Sequence, residues 1–210
     1  MKRRESPEGM ETKSQTETEP QGAPAEEETA VPPPLPGFAA LTVVVAVEDE
    51  GWTDAFAEDE LTALTRRALA AAARHLGLPE AIETEISVTY ANDATVAEAN
   101  HAWRGKERST NILSFPMVQL EPGELPGPLA GDLLLAFETV AGESAAEDKP
   151  LADHLSHLLV HGFLHLMGYD HIEDDEAATM ETAEIEILAG LGIADPYGAP
   201  DERPVSHRTD

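Results

Sequence analysis

Three histidines in HGFLHLMGYDH, residues 161 to 171, stand at spacings of four and six, with a glycine three positions before the last. Imidazole is a nitrogen ligand for zinc, and two histidines four apart on one helix face grip an ion from adjacent turns. Gly168 ends such a helix and lets the chain reverse, which returns His171 toward His161 and His165. Three protein ligands leave a fourth position open for water or substrate, the arrangement of a catalytic site. His157 shares the helix face but does not join. The outer two of His157, His161 and His165 are separated by about 12 Å along the axis, too far for one ion. His157 is expected instead to touch substrate or a nearby water. The chain has no cysteine, which excludes disulfides and thiolate metal sites.

A zinc peptidase of this spacing has glutamate directly after the first histidine, and here Gly162 stands there. Peptide hydrolysis therefore lacks its usual proton acceptor. Three neutral imidazoles leave the ion's full double charge in the site, enough to polarise an anionic phosphodiester and lower the pKa of water to about 7. Glycine inside a helix costs about 1 kcal/mol relative to alanine. Gly162 thus marks either a close approach of backbone or substrate, or tight helix packing.

A phosphate substrate needs cations, and they are scarce. The formal charge is -28, and the stretch between 38 and 198 holds 7 basic and 30 acidic residues, a net of -23. Such a balance excludes a general nucleic-acid binder, DNA included, whose affinity comes from neutralising phosphates. A local patch must do that work. Arg104, Lys106 and Arg108 lie within five positions in WRGKERSTN, while Arg66, Arg67 and Arg74 share one helix and Lys149 stands alone.

Around these residues the elements alternate irregularly. LTVVVAV (41 to 47) and EISVTYA (85 to 91) read as strands, and Phe56 to Leu76 recur at helical spacing before Gly77 and Pro79. Asn92 caps a helix running to about Trp103. NILSFPMV is a third strand and DLLLAFE a fourth, with Asp132 a polar support at its start; Ser144 to Lys149 read as a loop or helix end. The histidine helix spans Asp153 to Met167, and Asp174 or Asp175 caps the last. One of Asp170, Glu173, Asp174, Asp175 and Glu176 is in place to orient a histidine, although capping accounts for most of them. The expected fold is α+β with a small mixed sheet, a metal-binding helix and a glycine turn after it.

Residues 1 to 37 and 199 to 210 have too few apolar side chains to offset the entropy of ordering and are read as disordered, leaving one domain over 38 to 198. No stretch approaches the roughly 20 apolar residues of a membrane span, and no apolar run follows the basic start. A soluble cytoplasmic protein is expected.

VHGFLHLMGYDHIEDDEAATME, with WRGKERSTNILSFP and AGDLLLA before it, closely resembles the YbeY family of bacterial endoribonucleases, from about residue 41 to Tyr197. The resemblance implies a zincin-like α+β fold, one Zn2+ per chain on His161, His165 and His171, and a functional arginine at Arg104. Trp103 stands where relatives often have tyrosine. Lys106, Arg108 and His157 are the further candidate substrate contacts. The implied activity is zinc-dependent cleavage of single-stranded RNA in ribosomal RNA processing, at the 3' end of 16S rRNA, and in ribosome quality control. The implied partners are ribosomal RNA and the small ribosomal subunit, with small-subunit proteins and the GTPase Era. The attacking group is either a water activated by zinc or the RNA's own 2'-hydroxyl. Two readings compete: a zinc peptidase-like hydrolase with a base from outside the motif, and a non-catalytic ribosome-assembly factor with structural zinc.

Overall fold

The computed structural model describes residues 32–198. The expectations for residues 1 to 31 and 199 to 210 lie outside them. The elements follow in the order β1 (Ala40–Val47), α1 (Glu50–Ala55), α2 (Glu58–His75), β2 (Glu83–Ala91), α3 (Asp93–Arg104), β3 (Ile112–Pro116), β4 (Leu129–Ala136), α4 (Phe137–Ala146), α5 (Leu151–Leu166) and α6 (Asp174–Gly190). The four strands form one sheet in the order β1-β2-β4-β3, with β1, β2 and β4 parallel and β3 antiparallel at the edge. This is the expected α+β fold with a small mixed sheet.

Alternation along β3 and β4 sends side chains to two different layers. Ile112 and Leu133 join the large core with Leu155, Leu159, Phe163 and Met180, built between the sheet and α2, α5 and α6. Leu113 and Ala136, with Phe115 and Leu134 beside them, pack instead with Val96 and Ala99 of α3. The two helices flanking β3, α5 and α3, therefore sit on opposite faces of its sheet.

Ten of the sixteen residues of α5 are buried, so its polar residues must be satisfied inside the fold. Gly162 shows how closely this helix lies on the sheet. A Cβ there would stand 2.7 Å from Ile112 Cδ1 and 2.8 Å from Leu133 Cδ2. Tight packing, not substrate approach, accounts for the glycine, and a glutamate side chain would point into the sheet.

Several expectations are corrected. Pro32 to Gly37, assigned by composition to the disordered extension, are part of the domain: Leu35 is fully buried, Pro34 bridges Thr42, and Arg66 and Arg74 donate to the carbonyls of Pro33, Pro34 and Pro36. Three main-chain carbonyls gain partners without any apolar pattern in the sequence. Phe137 and Glu138 open α4 instead of ending β4. There Glu138 accepts from the Asp93 amide while Asp93 accepts from the amide and hydroxyl of Thr139, so α3 and α4 cap each other. Asn92 caps α3 as expected, accepting from the Thr95 amide. Glu173, not Asp174 or Asp175, is the N-cap of α6. Asp132 is exposed.

Candidate metal centre

His161 and His165 lie one turn apart near the end of α5, and the turn after it brings in His171. Gly168 adopts φ +85, a conformation that favours glycine, and a Cβ there would meet the Leu120 carbonyl oxygen at 2.3 Å. The amide of Tyr169 bonds back to the Leu164 carbonyl, closing the helix and reversing the chain. One nitrogen from each of His161, His165 and His171 then lies within 4.8 Å of the others. The three ligands proposed from spacing do converge.

The hydrogen bonds on the far side of the rings decide what the near side presents. His161 Nδ1 is 2.8 Å from the Glu184 carboxylate and His165 Nδ1 is 2.9 Å from the Tyr169 carbonyl oxygen. Both partners only accept, so each Nδ1 carries the hydrogen and each Nε2 presents a lone pair. The two Nε2 atoms face one another at 3.1 Å. Two lone pairs at that distance repel unless a cation lies between them. Tetrahedral zinc with nitrogens at about 2.0–2.1 Å would hold them about 3.3 Å apart, so the donor set fits such an ion. Burial, then repulsion from His161, brings the pKa of His165 down to about 4, so the ring is neutral and ready to coordinate at pH 7.

Glu184 of α6 was not anticipated. Its side chain is wholly buried and accepts from His161 Nδ1, His157 Nε2 and the Tyr197 hydroxyl. Burial alone would raise its pKa, but these three hydrogen bonds outweigh it and hold the carboxyl at about 2. A carboxylate that orients a ligating histidine through its free N–H fixes ring direction and raises ligand basicity. The five acidic residues near His171 do not take this part. Asp170 accepts from the His171 main-chain amide, and Glu176 accepts from the Glu173 amide at the start of α6.

His157 is turned toward Glu184, with its Nε2 engaged there at 2.8 Å and its ring edge against Tyr197. His161, His171, Met180, Glu181, Glu184 and Tyr197 line a cavity of about 260 Å³ beside the three imidazoles.

Arg104, Lys106 and Arg108 lie beyond the other face of the sheet, where α3 ends. Gly105 caps that helix in the left-handed region. Asn100, buried, fixes the turn: its side chain donates to the Arg108 carbonyl at 2.7 Å, and its own carbonyl accepts from the Lys106 amide. All three basic side chains are exposed. The sheet, with β3 at its edge, lies between them and α5, which carries His161 and His165.

Among the described residues, no helix is long and apolar enough to cross a membrane. The family model described as endoribonuclease YbeY matches residues 46–192. The Rhizobium meliloti protein named endoribonuclease YbeY is 48% identical over 166 residues, covering 77% of this chain and 97% of its own. The protein of the same name from Agrobacterium fabrum is 45% identical over 169 residues, 78% of this chain and 99% of its own. A Thermotoga maritima protein known from a solution structure aligns over 75% of this chain and all of its own, at 19% identity and a TM-score of 0.46. The matched span contains the basic turn, the three imidazoles and Glu184, at identities far above those of chance: the chain belongs to the endoribonuclease YbeY family.

Proposed function

We propose that this chain is a zinc-dependent endoribonuclease that cuts single-stranded RNA during ribosomal RNA maturation, at the 3' end of the small-subunit RNA, and that it serves ribosome quality control. The observation that carries the metal part is the pair of Nε2 lone pairs converging at 3.1 Å beside His171. Family membership supports the RNA part. The small ribosomal subunit, its proteins and the GTPase Era are the partners this reading assigns.

His161, His165 and His171 would hold the ion, with Glu184 and the Tyr169 carbonyl keeping two of the rings in the coordinating tautomer. When bound, zinc supplies Lewis-acid charge that polarises a phosphodiester and acidifies water. Arg104, exposed at the end of α3, would bind two non-bridging oxygens at once and stabilise their growing charge where the RNA passes the β3 edge. Lys106 and Arg108 draw the flanking phosphates, and His157 supports the site through Glu184. With Gly162 where a zinc peptidase has glutamate, the motif itself supplies no carboxylate for peptide hydrolysis.

Metal analysis of purified protein, coupled to mapping of the ends of ribosomal RNA fragments, tests this. One zinc per chain, cleavage abolished by a chelator and restored by zinc, and intact casein in a parallel incubation are expected. A 2',3'-cyclic phosphate end identifies the RNA 2'-hydroxyl as nucleophile, and a direct hydrolytic end identifies water. Undiminished cleavage by metal-free protein overturns the reading.

A further inference from the structure

Trp103 is 75% exposed, at the last turn of a helix that ends in Arg104 and is followed at once by Lys106 and Arg108, in an otherwise acidic domain. A tryptophan presenting that much ring to water is not there for the core. Among the described residues its one ring neighbour is Phe115 of β3, at a centroid separation of 5.7 Å and a tilt of 55°. The indole thus rests against one aromatic ring of β3 and is otherwise open to solvent.

The cations around it are equally unspent. Arg66 and Arg74 are tied to prolyl carbonyls and Lys149 to Glu147 and the Pro196 carbonyl, while Arg67 stands exposed on α2. Among the described residues the side chains of Arg104, Lys106 and Arg108 have no hydrogen bond or ion pair, although Asn100 rigidly shapes the turn that carries them. An exposed aromatic plane flanked by unpaired cations matches a single-stranded nucleic acid, which offers unstacked bases and phosphates alternately.

The position relative to the metal centre follows from β3. Phe115 props Trp103 on one face, and Ser114, the residue before it, abuts Gly162 on the other, next in chain to His161. Two consecutive residues of the edge strand thus link the indole on one face to the backbone of α5 on the other.

We propose that Trp103 is a base-stacking subsite: an unpaired nucleobase of the RNA stacks on its indole while Lys106 and Arg108 hold the adjoining phosphates, and the strand passes Arg104 and rounds the β3 edge to the metal centre. This rests on the endoribonuclease reading and names how that substrate is held.

The chain carries its own probe, because its other tryptophan, Trp52, is fully buried with its indole N–H bonded to the Ala91 carbonyl. A short single-stranded 2'-O-methyl oligoribonucleotide is titrated into full-length, zinc-loaded protein, following tryptophan emission and the anisotropy of the labelled oligonucleotide together. Quenching of the wild type by the single strand and not by its duplex is expected, with no change in the Trp52 emission of W103F. W103A should weaken binding roughly tenfold, within the range of a base–aromatic stack, and raise the KM for unmodified RNA, whereas W103F stays close to wild type. Binding that leaves Trp103 emission unchanged, or W103A binding like wild type, overturns the subsite; if RNA is still cut, the endoribonuclease reading survives it. Quenching with no RNA cleavage by the wild type does the reverse.

Discussion

Glu184 receives the Nδ1 hydrogen of His161 at 2.8 Å across the contact between α6 and α5, with its side chain fully withdrawn from solvent. A candidate metal ligand is thus oriented by a residue 23 positions later. Because the same carboxylate takes hydrogen bonds from His157 and Tyr197, it ties the centre to the segment that follows α6.

Replacing Glu184 separates orientation from fold. E184Q keeps the shape but brings an amide donor to a place that already faces three donors, so one ring loses its acceptor. Zinc affinity should fall by about 10- to 100-fold, as for other orienting partners of ligating histidines. E184A leaves three part-buried donors without their acceptor and should in addition lower stability by about 1–3 kcal/mol. Chelator competition reads the first effect and urea unfolding the second. Wild-type zinc affinity in E184Q would contradict the assigned part.

The ligands and Arg104 should divide cleanly. His161→Ala or His165→Ala is expected to remove zinc and RNA cleavage together. His171→Ala should do so with little change in metal-free stability, since its ring is exposed. Arg104→Ala should keep a full complement of zinc and lose cleavage by about 100-fold or more, the range for a donor that stabilises transition-state charge. Metal content by mass spectrometry beside a cleavage assay distinguishes the cases. An Arg104→Ala protein that cuts RNA normally would remove Arg104 from the reaction.

What could be read in the sequence follows from the range of each interaction. The ligand set was legible because helix pitch and a glycine turn are local, so residues 161 to 171 carry their own geometry. Asn92 was legible as a cap for the same reason. Glu184 was not: it sits on a helix of mixed acidic residues, and only the packing of α6 on α5 singles it out from Glu181 and Glu186. The segment from Pro32 to Gly37 was missed because its anchors are main-chain carbonyls held by Arg66 and Arg74, which leave no pattern in side-chain hydropathy. The start of α4 was misread because Phe137 and Glu138 continue the apolar run of β4, while the mutual capping that turns the chain needs Asp93 from 45 residues away.

Gly162→Ala tests the packing account of the position where a peptidase has glutamate. The new methyl group would lie under 3 Å from Ile112 and Leu133. Helix propensity favours alanine by about 1 kcal/mol, but overpacking costs about 1–3 kcal/mol. A net loss of stability is expected, and zinc affinity should fall with it as α5 is pushed from the sheet. Gly162→Glu should fail to fold and should not acquire peptidase activity. A thermal midpoint raised by Gly162→Ala would show that the sheet yields more easily than its contacts suggest.

Acid should destabilise the metal-free protein in two successive windows. His165 is held to about 4 in the fold, by burial first and then by His161, against an ordinary value of 6.5. The unfolded chain therefore takes up this proton first, and the stability present above about pH 6.5 is lost as pH falls toward 4. Glu184 follows the carboxylate rule: its three hydrogen bonds overcome burial and hold it at about 2 against 4.5. Its contribution is present above about pH 4.5 and is lost as pH falls toward 2. Urea unfolding of chelator-treated protein across both windows measures the two slopes. H165Q should flatten the upper slope and E184Q the lower one. If H165Q leaves the fall between about pH 6.5 and 4 unchanged, His165 is not the group held neutral, and the assignment of its Nε2 as a free lone pair at neutral pH fails with it.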